Sequence, residues 1–225
     1  FAFAMLDRSN LGYVKSFIEI DAGISATAYA LGAGIFFIGY AVFEIPSNLI
    51  LHRVGARIWL SRIMVSWGIV TMAMIFIRDE TSFYILRFLL GVTEAGFSPG
   101  VILYMTYWFP AKHRSQAYGL YYLGVSLALM FGGPISGALL ELPVMLGFKG
   151  WQWMFLIEGG ITVVVGVFAF FWLVSKPNEA KWLTNDEKAA VARAFAEEST
   201  HAEDDQPSSL KATFTNLKVW QFVGV

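Results

Sequence analysis

The stretch Ser115–Leu140, SQAYGLYYLGVSLALMFGGPISGALL, carries no charged side chain. A bilayer core takes about 20 predominantly apolar residues as a helix, which satisfies its own backbone where lipid offers no partner. This segment is long enough, and it fixes the class of the molecule. Working outward, five further stretches read the same way: about Phe1–Phe17, Thr27–Leu51, Ile58–Ile77, Ser82–Trp108 and Trp151–Val174. None shows the strict polar/apolar alternation of a barrel strand, so an all-α membrane protein of six spans is predicted.

Composition agrees. Of 225 residues, 56% are hydrophobic and only 15% are charged, against roughly 25% charged in a soluble domain. A net charge of −1 gives no electrostatic footprint for nucleic acid. The absence of cysteine removes disulfides, thiol nucleophiles and Cys-ligated metal. His52, His113 and His201 fall in loops or in the charged segment, with no metal spacing and no intramembrane Ser/His pair, so neither a metal site nor an enzyme is expected.

The chain opens on Phe1-Ala2-Phe3-Ala4, without Met or a basic n-region, and closes on Phe222-Val223-Gly224-Val225 within an apolar run. It is expected to be a piece of a longer protein. Residues 1–176 form the predicted six-helix bundle, 177–212 a charged linker, and 213–225 the start of a seventh span. Within the linker, Thr184 or Asn185 is suited to cap a short helix whose first turn holds Asp186 and Glu187.

Lys and Arg set the topology. Arg53, Arg57, Arg62, Lys112, Arg114, Lys176 and Lys181 fall on one side, and only Lys15, Arg78 and Lys149 on the other. The amino terminus, the loop after span two, the loop after span four and the linker are therefore expected in the cytoplasm.

Charges inside spans are costly, about 2.5–3.5 kcal/mol each at a helix centre, and they usually face a bundle interior or a wet cavity. This chain carries Asp7, Arg8, Asn10, Glu44, Arg87, Glu94 and Glu158 inside or near the ends of its spans. Asp7 and Arg8 are consecutive, so they point about 100° apart. Arg87 and Glu94, seven apart, share a face about 10 Å along the axis. If both helices line one cavity, its guanidiniums suit an anionic ligand and its carboxyls suit a proton carrier. The alternative reading is two structural pairs. Glu44 either lines that cavity or, preferably, anchors the Arg53/Arg57 loop. Glu158 reads as structural, among the interface aromatics Trp151, Trp153 and Phe155. Tyr40 is the favoured aromatic ligand contact. Gly96–Gly100 and Gly133–Gly137 are small-residue spacings for close helix approach, each with an internal proline that reads as a bend.

Several strings stand out together: Leu6-Asp7-Arg8-Ser9-Asn10-Leu11-Gly12, Phe43-Glu44-Ile45-Pro46-Ser47-Asn48, His52-Arg53-Val54-Gly55-Ala56-Arg57, Arg87 through Phe97, Tyr107-Trp108-Phe109-Pro110, and Gly150 through Gly159. In combination they resemble the anion:cation symporter family of the major facilitator superfamily. The resemblance covers nearly the whole chain. It implies the amino-terminal six-helix half of a twelve-helix carrier, built as a 3+3 inverted repeat with a central cytoplasmic loop. The carboxy-terminal half would be the missing partner, in a monomer within the bacterial inner membrane.

The implied activity is proton-coupled symport of a small organic anion, such as a sugar acid, a tartrate-like acid or an aromatic carboxylate. Exchange, uniport or a non-transporting sensor are the alternatives. No cofactor beyond the coupling proton is implied. By the same resemblance Asp7 and Glu94 are proton-coupling and Arg8 and Tyr40 are substrate-binding; Arg87 and Asn10, polar within the spans, are expected to be substrate-binding too. Arg87 would partner Glu94, and Arg53, Gly55, Arg57 and Glu44 would belong to the cytoplasmic gate. The loop departs from the family pattern: Asn48 stands for a Gly, His52 for an Asp and Ala56 for a basic residue. Arg53 and Arg57 remain, four apart as on one helix face.

Overall fold

The computed structural model describes residues 2–202. Its helices are α1 (Ala2–Ala22), α2 (Ala26–Val54), α3 (Ala56–Ala73), α4 (Glu80–Glu94), α5 (Phe97–Trp108), α6 (Ala111–Leu140), α7 (Gly150–Trp172) and α8 (Asn185–Ala202). Short 3-10 turns follow α3 at Met74–Phe76 and precede α8 at Pro177–Glu179. Among the described residues, five segments are long and apolar enough to cross a membrane: α2, α3 with its 3-10 turn, α4 with α5, α6, and α7. The first span does not reach that mark. Its 21 residues include Asp7, Arg8, Lys15, Glu19 and Asp21, and it earns its place through packing on α6 and α7. The chain is a multi-pass integral membrane protein.

The fourth span is two helices, where the sequence suggests one. Pro99 lacks an N–H, so the carbonyl of Ala95, four residues earlier, gains no helical donor from it. The chain breaks there: Ala95 ends α4, and Gly96 takes φ +82°, a left-handed conformation that favours glycine. Pro99 then sits in the first turn of α5, where a missing N–H costs nothing. At the other proline motif α6 runs on through Pro134. The expected close approach there also shifts by one residue. A Cβ on Gly137 would meet nothing within 4 Å, whereas one on Gly132 would lie 2.6 Å from Leu6 Cδ1 of α1.

Packing follows the predicted repeat. α1 lies on α6, α4 on α2, and α3 on α7. Exchanging the first three spans for the second three maps this pattern onto itself. The central α3–α7 contact is glycine against glycine. A Cβ on Gly68 would stand 2.7 Å from the Gly159 carbonyl, and one on Gly159 would stand 2.8 Å from the Gly68 carbonyl. Backbone cannot yield as a side-chain tip can. Gly68→Val is therefore expected to destabilise the bundle by about 1–3 kcal/mol, the cost of overpacking, read as a lower melting temperature of the purified full-length protein.

The two ends of the bundle are tied differently. At one end the Lys149 ammonium meets Asp21 Oδ1 at 2.5 Å, and Trp151 Nε1 donates to Asp21 Oδ2 at 2.8 Å, joining the end of α1 to the start of α7. Asp79 caps α4, accepting from the Ser82 amide at 2.7 Å, and that bond holds its carboxyl below the usual range. At the opposite end Gly55, at φ +95°, separates α2 from α3. Arg53 and Arg57 thus flank a turn and do not share a helix face, which corrects the spacing argument.

The chain divides into two units, residues 1–180 and 181–225. The last helix of the first unit, α7, ends at Trp172. In the second unit α8 begins with a capping box. The Thr184 amide and hydroxyl donate to Glu187 Oε2 at 2.8 and 2.9 Å, and the Glu187 amide donates to Thr184 Oγ1 at 3.3 Å. The Thr184 donors hold the Glu187 carboxyl below its usual range. The predicted seventh span, 213–225, lies outside the described residues, as does the linker beyond 202.

Candidate functional site

Arg8 and Glu94 meet inside the bundle. Arg8 Nη2 stands 2.7 Å from Glu94 Oε1, and Arg8 Nε donates to the same oxygen at 3.0 Å. Both arms of the guanidinium grip one carboxyl oxygen. The other, Glu94 Oε2, is buried and has no hydrogen-bond partner. Exposure is uneven: the Arg8 side chain keeps 30% of its surface accessible, Glu94 only 1%. The guanidinium carbon lies 5.2 Å from the centre of the Tyr40 ring and 5.8 Å from that of Phe36. Phe36 and Tyr40 are one helical turn apart on α2, so they form one aromatic wall.

Arg87 is placed differently from the expectation that it partners Glu94. It is buried, its Nε donates to the Gly32 carbonyl of α2 at 3.3 Å, and its guanidinium lies 4.7 Å from the Phe36 ring centre. Arg8 and Arg87 thus share one aromatic ring. Its π-system attracts both cations and offsets part of their mutual repulsion. Proximity to Arg8 outcompetes the shared helix face, because Arg8 on α1 reaches the carboxyl that Arg87 leaves.

Asp7 is bound on the α3 side and does not join the Arg8–Glu94 pair. Trp67 Nε1 donates to Asp7 Oδ2 at 3.0 Å and Thr71 Oγ1 to Asp7 Oδ1 at 3.2 Å, both from α3. The 100° offset between Asp7 and Arg8 is realised, one on α3 and one on Glu94. Trp67 and Thr71 escape sequence reasoning, since nothing local links them to a carboxylate 60 and 64 positions away.

Asn10, expected as a ligand contact, is completely buried. Its amide donates to Glu158 and its carbonyl accepts from Ser136 Oγ at 3.2 Å. It therefore belongs to a packed contact of α1 with α6 and α7, with no surface left for a ligand.

Glu44 makes no ion pair with Arg53 or Arg57 among the described residues, and it lies in a separate cavity whose lining includes none of Asp7, Arg8, Arg87 and Glu94. It lines a cavity of about 540 Å³ with Ile45, Asn48, Leu49, His52, Pro99 and Leu103. Glu44 follows Tyr40 by one helical turn, so the cavity acid and the Arg8 wall share one face of α2. His52, at the position where an acid was expected, hydrogen-bonds the Tyr107 hydroxyl through Nδ1 at 2.8 Å. Arg57 Nε donates to the Phe170 carbonyl at 2.6 Å, with its guanidinium 5.0 Å from the Phe170 ring centre. The Arg57 amide reaches Ser175 Oγ at 3.3 Å. A Cβ on Gly55 would lie 3.0 Å from that same Ser175 Oγ, so Gly55 also keeps this approach open. Arg53 is exposed. The junction between α2 and α3 is held to α5 by the His52–Tyr107 hydrogen bond and to α7 by Arg57.

Comparison with known proteins identifies the family. The chain is 47% identical over 216 residues to a provisionally named tartrate transporter of Agrobacterium vitis, covering 96% of this chain and 50% of that protein. It is 44% identical over 221 residues to the inner membrane transport protein RhmT of Escherichia coli K12, covering 98% of this chain and 51% of that protein. The chain spans about half the length of the curated relatives it matches. Its fold resembles that of a bacterial homolog of the human lysosomal transporter Spinster, with a TM-score of 0.67 and 24% identity over 78% of this chain and 42% of that one. The family profile described as Major Facilitator Superfamily matches residues 1–224, and the chain belongs to that superfamily.

Proposed function

We propose that this chain is the amino-terminal half of a secondary transporter that moves a small organic anion with protons across the bacterial inner membrane. The observation that carries the reading is the Arg8–Glu94 pair: a partly exposed guanidinium held by a buried carboxyl with one oxygen unpartnered. A substrate carboxylate and the Glu94 carboxylate compete for the same cation. Protonating Glu94 removes its charge and frees Arg8 to take the substrate in a charge-assisted fork. When Glu94 loses its proton on the inner side, it reclaims Arg8 and expels the anion. Proton and anion thus travel together because one guanidinium serves both.

The membrane potential adds drive. Each net positive charge moved inward gains about 2.3 kcal/mol per 100 mV. The basic loops at the Gly55 end are assigned to the cytoplasm, which also puts the amino terminus there. The substrate class rests on the Arg8 geometry and on the naming of the Agrobacterium vitis relative for tartrate. In this architecture the second half would supply the other wall of the midplane site.

The test is uptake by the full-length protein in proteoliposomes, with tartrate, hexonates and aromatic acids as candidate substrates. An acidic outside is expected to drive accumulation of at least one class above its external concentration. Accumulation indifferent to the pH gradient would reject proton coupling. Counterflow of labelled anion without net uptake would identify an exchanger instead.

A further inference from the structure

Glu158 of α7 takes no part in the Arg8–Glu94 exchange, yet it is buried in the bundle with no ion-pair partner among the described residues. Side chains from two other helices meet its carboxyl. Asn10 of α1 donates to Glu158 Oε2. Ser136 of α6 lies 3.1 Å from Glu158 Oε1 and 3.2 Å from Asn10 Oδ1. Asn10 and Ser136 are completely buried, and Glu158 is 5% exposed. Thr162 donates to the Glu158 main-chain carbonyl at 2.9 Å, so its hydroxyl is committed elsewhere.

Counting hydrogens favours the neutral acid. With Glu158 ionised, Asn10 donates to Oε2, and the single Ser136 hydrogen must choose between Glu158 Oε1 and Asn10 Oδ1. Whichever it takes, one close pair of oxygens is left with no hydrogen between them, deep in the bundle. Such an unsatisfied buried acceptor is costly. With a proton on Oε1, every contact is made: Glu158 donates to Ser136, Ser136 to Asn10, and Asn10 to Glu158. Turning the Asn10 amide over reverses the direction of the ring, but it still closes only when the acid carries its proton. Asp7, one helical turn before Asn10 on α1, is the neighbouring carboxyl, and a second negative charge beside it would add repulsion.

We propose that Glu158 holds a resident proton, and that the neutral acid closes a ring which fixes the rotation and height of α1. Asn10 follows Asp7 by three residues and Arg8 by two, so this ring is a positioning device for both. The proton is structural and does not travel with substrate. Glutamine is the neutral isostere of the protonated acid, and its amide donates to Ser136 as the acid does.

The experiment compares wild type, Glu158→Gln and Glu158→Leu in the full-length protein, by thermal unfolding, infrared spectroscopy and uptake. Glu158→Gln is expected to melt within about 2 °C of wild type and to keep uptake and its pH-gradient dependence within about twofold. Glu158→Leu is expected to melt clearly lower, because it leaves Asn10 and Ser136 unpartnered. At neutral pH the difference spectrum of wild type minus Glu158→Gln is expected to contain a carboxylic-acid carbonyl band. A carboxylate band in its place would overturn the proposal. So would a Glu158→Gln protein that melts as low as Glu158→Leu, or one that folds but loses pH-gradient dependence. The melting and infrared readings need no transport, so they stand apart from the proposed function.

Discussion

Arg8→Ala in the full-length protein is expected to abolish measurable accumulation of the anion, and Arg8→Lys to leave only a small residue of it. A charge-assisted hydrogen bond contributes about 1.5–3 kcal/mol. Losing that bond to the substrate carboxylate weakens apparent affinity by about 10- to 150-fold. The second loss is inside the protein. Glu94 is 99% shielded and Arg8 is its ion-pair partner, so without the guanidinium its buried charge is uncompensated, a change costing about 3–5 kcal/mol. The acid then holds its proton and has nothing to exchange. Lysine restores a charge but not the planar fork that reaches Glu94 through both Nε and Nη2 while facing Tyr40 and Phe36. Arg87 supplies the contrast. It is bound to the Gly32 carbonyl and Phe36, so Arg87→Lys is expected to reduce yield and melting temperature more than substrate affinity. Uptake titrated against substrate concentration in the three variants separates these outcomes. Equal losses of affinity from Arg8 and Arg87 variants would show that both guanidiniums hold the anion.

The distinction between the two arginines shows how far local sequence reaches. The spans are legible because a bilayer imposes one requirement on every residue within it, and Ser115–Leu140 meets that requirement by composition alone. Charged residues within the spans are equally legible as interior groups, for the same energetic reason. Their partners are not. Arg87 and Glu94 are seven apart and do share a face, yet Glu94 pairs with Arg8, 86 positions away. Helical spacing determines which side of a helix a residue occupies, and the fold alone determines what stands opposite. Asn10 illustrates the same limit: a polar residue beside a charged pair reads as part of the site, but its amide is consumed by Glu158 and Ser136. Gly55 is the converse, a local signal with more in it than spacing shows. A glycine between Arg53 and Arg57 at positive φ ends one helix and starts the next, so periodicity cannot be carried across it. The capping pattern Thr184-x-x-Glu187 was likewise available from spacing alone.

Glu94→Gln carries the second large effect. Glutamine keeps the length and an acceptor for Arg8 but cannot gain or lose the coupling proton. Accumulation driven by a pH gradient is expected to fall to the level of simple equilibration, while exchange of labelled for unlabelled anion persists within a few-fold of wild type. The reasoning follows the geometry. A neutral amide binds Arg8 less tightly than a carboxylate, by about the difference between a charged and a neutral hydrogen bond, so substrate gains access to the guanidinium without any proton. What disappears is the step in which Glu94 reclaims Arg8. Asp7→Asn tests whether the same holds for the other acid. Asp7 accepts from Trp67 and Thr71 and faces α3, so both its oxygens already have donors, whereas Glu94 Oε2 has none. An asparagine there turns an N–H toward one of those donors. Asp7→Asn is therefore expected to lower stability as well as transport, while Glu94→Gln lowers coupling with stability nearly unchanged. Loss of exchange along with accumulation in Glu94→Gln would assign the carboxylate to holding α1 against α4. In that case the proton would have to be carried elsewhere, and the unpartnered oxygen of Glu94 would lose its role in the cycle.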